Sequence, residues 1–98
     1  MNALIYNHVE WITETNPSIL FTNIDRLLLA SGYTILNHIE HFFDPHGYTC
    51  LWLLAESHLA LHTFPEHGKT YIELSGCKSE YNQRFMENLH NWLKITEK

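Results

Sequence analysis

The 98 residues carry six Lys and Arg against eleven Asp and Glu, a formal net charge of −5, with 45% hydrophobic and 17% charged residues. That balance excludes a disordered or fibrous chain, and its field repels phosphates, so neither nucleic acid nor an anionic membrane surface is predicted as a partner. A chain this short buries only about 60 to 65 per cent of its unfolded surface, which predicts a modest core that a second copy would supplement.

Leu4, Ile5, Tyr6, Val9, Trp11 and Ile12 make a β-prone opening that ends in the polar cluster Thr13 to Asn16. The start MNALIYNHVEW has neither the basic flank nor the apolar core of a signal peptide, so a cytoplasmic setting is expected. Asn16 followed by Pro17 reads as an N-cap and first helical position. Leu20, Ile24, Leu27 and Leu28 then supply an apolar stripe and Gly32 a left-handed stop, predicting a helix from 17 to 31.

Tyr33 to Phe43 and Tyr48 to Ala55, joined by the turn residues Asp44-Pro45-His46-Gly47, predict a hairpin. His58 to Phe64 alternates Leu59 and Leu61 against His58, Ala60 and His62; Pro65 to Gly68 turns the chain, and Tyr71, Ile72 and Leu74 begin another strand. After Ser79, Tyr81, Phe85, Leu89, Trp92 and Leu93 recur at helical spacing. The longest apolar run, Leu51 to Ala55, falls far below the roughly 20 residues that span a bilayer. Cys50 and Cys77 could form at most one bridge, which fits a reducing compartment.

The predicted fold class is α+β, a two-layer sandwich in which one antiparallel sheet carries both helices on one face. A homodimer packing sheet on sheet would cover the other face and give a four-layer αββα arrangement.

The densest polar chemistry lies in AESHLALHTFPEHG, residues 55 to 68, where Glu56, Ser57, His58, His62, Glu66 and His67 interrupt an apolar strand pair. Histidines on a strand are most often satisfied surface groups. A zinc site from His58, His62 and a cysteine lacks the paired CxxC or HExxH spacing, so no metal is predicted. A serine hydrolase would need a G-x-S-x-G elbow, and none surrounds Ser57.

The same segment, followed fifteen residues after His62 by Cys77 and preceded by FFDPHGYT, resembles the core of the short prokaryotic S-adenosylmethionine decarboxylases from about Ile35 to Cys77. The resemblance implies self-cleavage between Glu56 and Ser57, with Ser57 becoming a covalent pyruvoyl cofactor that acts as an electron sink for decarboxylation in spermidine synthesis. It implies that His62 is the processing base, Cys77 the catalytic proton donor, and Thr49, in place of the usual serine, a hydroxyl holding the processing intermediate. It further implies that Phe43 and Phe64, the latter replacing the usual tryptophan, flank the adenine and sulfonium end of a small-molecule substrate, while Glu66 binds the ribose hydroxyls. Cys50 matches no role and reads as core.

The amino terminus lacks the family's Gly-x-His pattern. That departure keeps two alternatives open: a pyruvoyl decarboxylase of a basic amino acid such as ornithine or arginine, and a processing-dead relative. Ser57 and His62 also differ in parity, so a regular strand points them to opposite faces, and a bend or bulge near 56 to 58 is expected.

Overall fold

The computed structural model describes residues 4–96. Asn16 starts the first helix as its side chain predicts, accepting from the Ile19 N–H at 3.1 Å with Pro17 in the first turn, and Gly32 follows the last turn at φ +103°. The elements run β1 (Tyr6–Ile12), α1 (Pro17–Ala30), β2 (Ile35–Phe42), β3 (Tyr48–Leu54), β4 (Ser57–Phe64), β5 (Lys69–Gly76) and α2 (Ser79–Thr96), with a 3-10 turn at Pro65–His67. Both predicted hairpins are present. The five strands form one antiparallel sheet in the order β1-β5-β4-β3-β2, so the first strand closes an edge beside the last.

Period-two alternation decides what each face carries. Along β4, Ser57, Leu59, Leu61 and Thr63 are buried, while His58, Ala60, His62 and Phe64 point the other way. Leu20, Ile24, Leu27 and Leu28 of α1 and Phe85, Leu89 and Trp92 of α2 cover the inner face, packing on Trp52, Leu59, Leu61, Ile72 and Leu74. Each fully buried aliphatic side chain there contributes about 1.5 to 3 kcal/mol. The fold is therefore the α+β sandwich with both helices on one face. The outer face carries no helix among the described residues, and Val9, Trp11, Ile39, Leu51 and Leu53 stand on it between 43% and 67% exposed.

Two expectations are corrected. The bend or bulge expected near 56 to 58 is a turn at Ala55–Glu56 that does not bring Ser57 and His62 to one face: β4 pairs in unbroken register with β3 and β5 from Ser57 onward, and the register shift falls instead between Ile35 and Asn37 in β2. Tyr33 is not part of a strand but lies in the connection from α1 to β2, where it is buried because its hydroxyl donates to Asn82 of α2. No helix among the described residues is long and apolar enough to cross a membrane.

Candidate active site

Ala55 and Glu56 form the two-residue link between β3 and β4, and so tight a reversal needs a left-handed residue. Glu56 supplies it at φ +62°, the one non-glycine residue with positive φ among those described. An L-residue in that conformation stores about 1 to 2 kcal/mol. The strain therefore sits on the residue whose carbonyl joins Ser57.

Ser57 follows at once, 9% exposed and paired with Gly76 across β4 and β5. A Cβ on Gly76 would lie 2.7 Å from Ser57 Oγ, 3.1 Å from the Tyr33 hydroxyl and 3.2 Å from Asn82 Oδ1. The missing side chain is thus the space in which the serine hydroxyl sits, beside two buried polar groups. Asn82 accepts from the Tyr33 hydroxyl and donates its amide to the Tyr6 carbonyl at 2.7 Å, so α2, β1 and the connection after α1 are tied together beneath Ser57. Burial, with smaller contributions from Cys77 and Tyr81, pushes the Tyr33 phenol up to about 12, so it is a protonated donor at neutral pH.

Cys77, half-buried just past β5, holds its thiol 3.7 Å from the Glu56 carbonyl and 3.6 Å from the Glu56 carboxylate, so its single S–H can donate to either one. A thiol is a weak donor, and this one lies beside the carbonyl that precedes Ser57. The structure brings Glu56, Ser57 and Cys77 together at this turn. Tyr33, Gly76 and Asn82 were missed, although a glycine inside a strand pattern, directly before Cys77, signals a close approach at that position.

The other predicted residues stand elsewhere. Thr49 Oγ1 and His62 Nδ1 are 2.8 Å apart on neighbouring strands, on the outer face, opposite to the Ser57 side chain. His62 lies five residues beyond Ser57, about 16 Å along β4. His58 also faces outward while Cys50 faces the helices, where burial raises its thiol to about 11, and His58 and His62 belong to no three-residue metal-ligand group among the described residues.

Phe43, Phe64 and Glu66 lie at the far end of the sheet; seven strand residues put Phe64 about 23 Å from Ser57. The ring of Phe43 stacks edge-on against His41 at 4.5 Å, and Phe64 lies 5.8 Å from Trp11, beside an open hollow of about 440 Å³ that His67 and Lys69 complete. The Glu66 carboxylate meets His46 Nε2 at 2.8 Å; its own backbone N–H, then His46, hold its pKa below the usual range. One chain therefore carries three groups of the expected residues, separated along β4 and divided between its two faces.

The family model for S-adenosylmethionine decarboxylase matches residues 13–97. An S-adenosylmethionine decarboxylase proenzyme of Prochlorococcus marinus (strain MIT 9313) is 45% identical over 62 residues, 63% of this chain and 50% of the relative. A second such proenzyme, from Thermotoga petrophila, is 31% identical over 80 residues, 81% of this chain and 62% of its own length. The chain spans about half the length of the first curated relatives it matches. The crystal structure of the adenosylmethionine decarboxylase from Aquifex aeolicus superposes with a TM-score of 0.78 at 21% identity, covering 96% of this chain and 83% of that one, and so shares the fold. With a family match running from the end of β1 through α2 and enclosing Glu56, Ser57 and Cys77, the chain belongs to the S-adenosylmethionine decarboxylase family.

Proposed function

We propose that this protein cleaves itself between Glu56 and Ser57 and then decarboxylates S-adenosylmethionine. The observation that carries the proposal is the left-handed Glu56 immediately before buried Ser57, its carbonyl accepting from the Cys77 thiol. Ser57 Oγ adds to the Glu56 carbonyl carbon, the C–N bond breaks, and the hydroxyl proton passes to the freed amine, leaving an ester. Strain at Glu56 is released in that step, and Cys77 stabilises the developing oxyanion. Removal of the Ser57 α-proton then expels the Glu56 carboxylate. The dehydroalanine left on the 57–98 fragment takes up water and loses ammonia. A pyruvoyl group at position 57 supplies a carbonyl conjugated to a second carbonyl, an electron sink for the loss of carbon dioxide. Ser57 fits that group, since its side chain already occupies the cradle made by Gly76, Tyr33 and Asn82.

The α-proton step supports a homodimer. The Ser57 side chain is buried toward the helices while Thr49 and His62 sit on the outer face, out of reach in the same chain, so the base that takes the α-proton comes from elsewhere. A second copy packed sheet on sheet, its β4 running opposite to the first, would carry its own Thr49 and His62 toward that side and its Phe43, Phe64 and Glu66 toward the cleavage end. It also covers the exposed Leu51, Leu53, Ile39 and Trp11. Intact mass spectrometry tests the function: the wild-type chain separates into fragments 1–56 and 57–98, the second blocked at its amino end, while Ser57→Ala stays whole. A wild-type chain that remains whole on prolonged incubation refutes the proposal.

A further inference from the structure

Away from the cleavage site, three ligand-forming side chains converge where the edge strand meets the last helix. His8 and Glu10, two residues apart on β1, point to the helix side, and His90 of α2 reaches over them. His8 Nε2 lies 2.8 Å from Glu10 Oε1, and His90 Nε2 lies 2.9 Å from Oε2 and 3.0 Å from Oε1 of the same carboxylate. All three donor atoms fall within 4.8 Å of one another, the one such group of His, Cys, Asp or Glu among the described residues.

We infer that His8, Glu10 and His90 form a zinc site that clips β1 to α2. Two imidazole nitrogens and a carboxylate oxygen are a set suited to Zn²⁺, with bonds of about 2.0 to 2.2 Å and a fourth position for water. Each ring moves its proton to Nδ1 and offers the Nε2 lone pair now aimed at Glu10; the ion then replaces two imidazole–carboxylate hydrogen bonds with three coordinate bonds. His8 and Glu10 are mostly shielded, with side chains 18% and 20% exposed, whereas His90 at 48% leaves one side open for entry and for the water ligand.

The position gives the clip a use, which rests on the cleavage proposed above: His8 and Glu10 belong to fragment 1–56 and His90 to fragment 57–98. After the cut, the ion would be a direct link between two separate chains.

Zinc titration of untagged, chelator-stripped protein against a chromophoric competitor tests the site, using both the wild type and uncleaved Ser57→Ala. One ion per chain is expected in each, with affinity falling at least about tenfold in His8→Gln and in His90→Gln, and a cobalt spectrum free of thiolate charge transfer. Zinc at about a hundredfold excess over Kd should raise the melting temperature by about 10 °C, and should raise the urea midpoint at which cleaved fragments part. No binding at about 100 μM zinc, binding that survives both histidine changes, or a thiolate signature overturns the site. If zinc binds Ser57→Ala normally while wild type never cleaves, the site stands and the link between fragments falls with the cleavage; if it binds cleaved protein without moving the urea midpoint, the clip is refuted.

Discussion

Gly76→Ala is the change that the cleavage geometry makes most costly. The added methyl carbon lands 2.7 Å from Ser57 Oγ, and ordinary contact begins near 3.4 Å, so the hydroxyl must retreat by about 0.7 Å or leave its rotamer. It cannot retreat toward Tyr33 or Asn82, which meet the same methyl at 3.1 and 3.2 Å and are buried. A misplacement approaching 1 Å in a reacting group costs on the order of 10²-fold in rate. Overpacking adds about 1 to 3 kcal/mol of lost stability, at about 4 to 8 °C in melting temperature per kcal/mol. Gly68→Ala separates the two effects: that residue has φ +64° with nothing within 4 Å of the new carbon, so it should cost about 1 kcal/mol of backbone strain and leave cleavage untouched. Following the full-length band by intact mass over time after denaturant-jump refolding gives the cleavage rate. Gly76→Ala that cleaves at the wild-type rate would show that the Ser57 hydroxyl does not react from this cradle.

Glu66→Gln should raise the apparent KM for S-adenosylmethionine about tenfold in cleaved enzyme if the carboxylate binds a ribose diol, and move only the melting temperature if its partner is His46 alone. Cys77→Ala should slow cleavage and leave any cleaved fraction poor in turnover, measured as release of labelled carbon dioxide; full activity would reduce the cysteine to packing. Tyr33, raised from 10.0 to about 12 by burial, stabilises the fold fully below pH 10.0, and that contribution is lost as pH climbs through about 12, so Tyr33→Phe should flatten the alkaline fall in melting temperature over that window. Co-expressing His62→Ala with Ser57→Ala should restore cleavage to the His62→Ala chain, because a second copy then supplies the imidazole; no rescue would place the base within the same chain.

Strand and helix identities were legible because each element is amphipathic at its own period: Leu20, Ile24, Leu27 and Leu28 at helical spacing, Leu59 and Leu61 against His58 and His62 at strand spacing. The sheet order was not, since nothing local tells Tyr6–Ile12 to pair with Lys69–Gly76 across more than fifty residues. The site was legible as composition rather than as geometry. The Glu56–Ser57 pair and Cys77 converge because a tight turn and a strand end meet there. His62 and Thr49 read as their neighbours in sequence, yet strand parity puts them on the opposite face. Tyr33 and Asn82 were invisible as site residues because one reads as strand and the other as a helix polar position, and only the tertiary fold joins them.

The position of the turn would let the chain survive the proposed cleavage. A cut between Glu56 and Ser57 separates β1, α1, β2 and β3 from β4, β5 and α2, yet in the sheet order β1-β5-β4-β3-β2 the second fragment lies between strands of the first. Two complete antiparallel ladders, β1 with β5 and β3 with β4, therefore cross the break, and the Asn82 amide adds a bond to Tyr6. The inner face is shared in the same way, because Leu20, Ile24 and Trp52 of one fragment pack with Leu59, Leu74 and Phe85 of the other. What the proposed cut removes is one peptide link at Glu56, the one non-glycine residue with positive φ among those described. Strain located at a tight turn would favour breaking that bond, and interleaved strands would keep the two proposed fragments folded around Ser57.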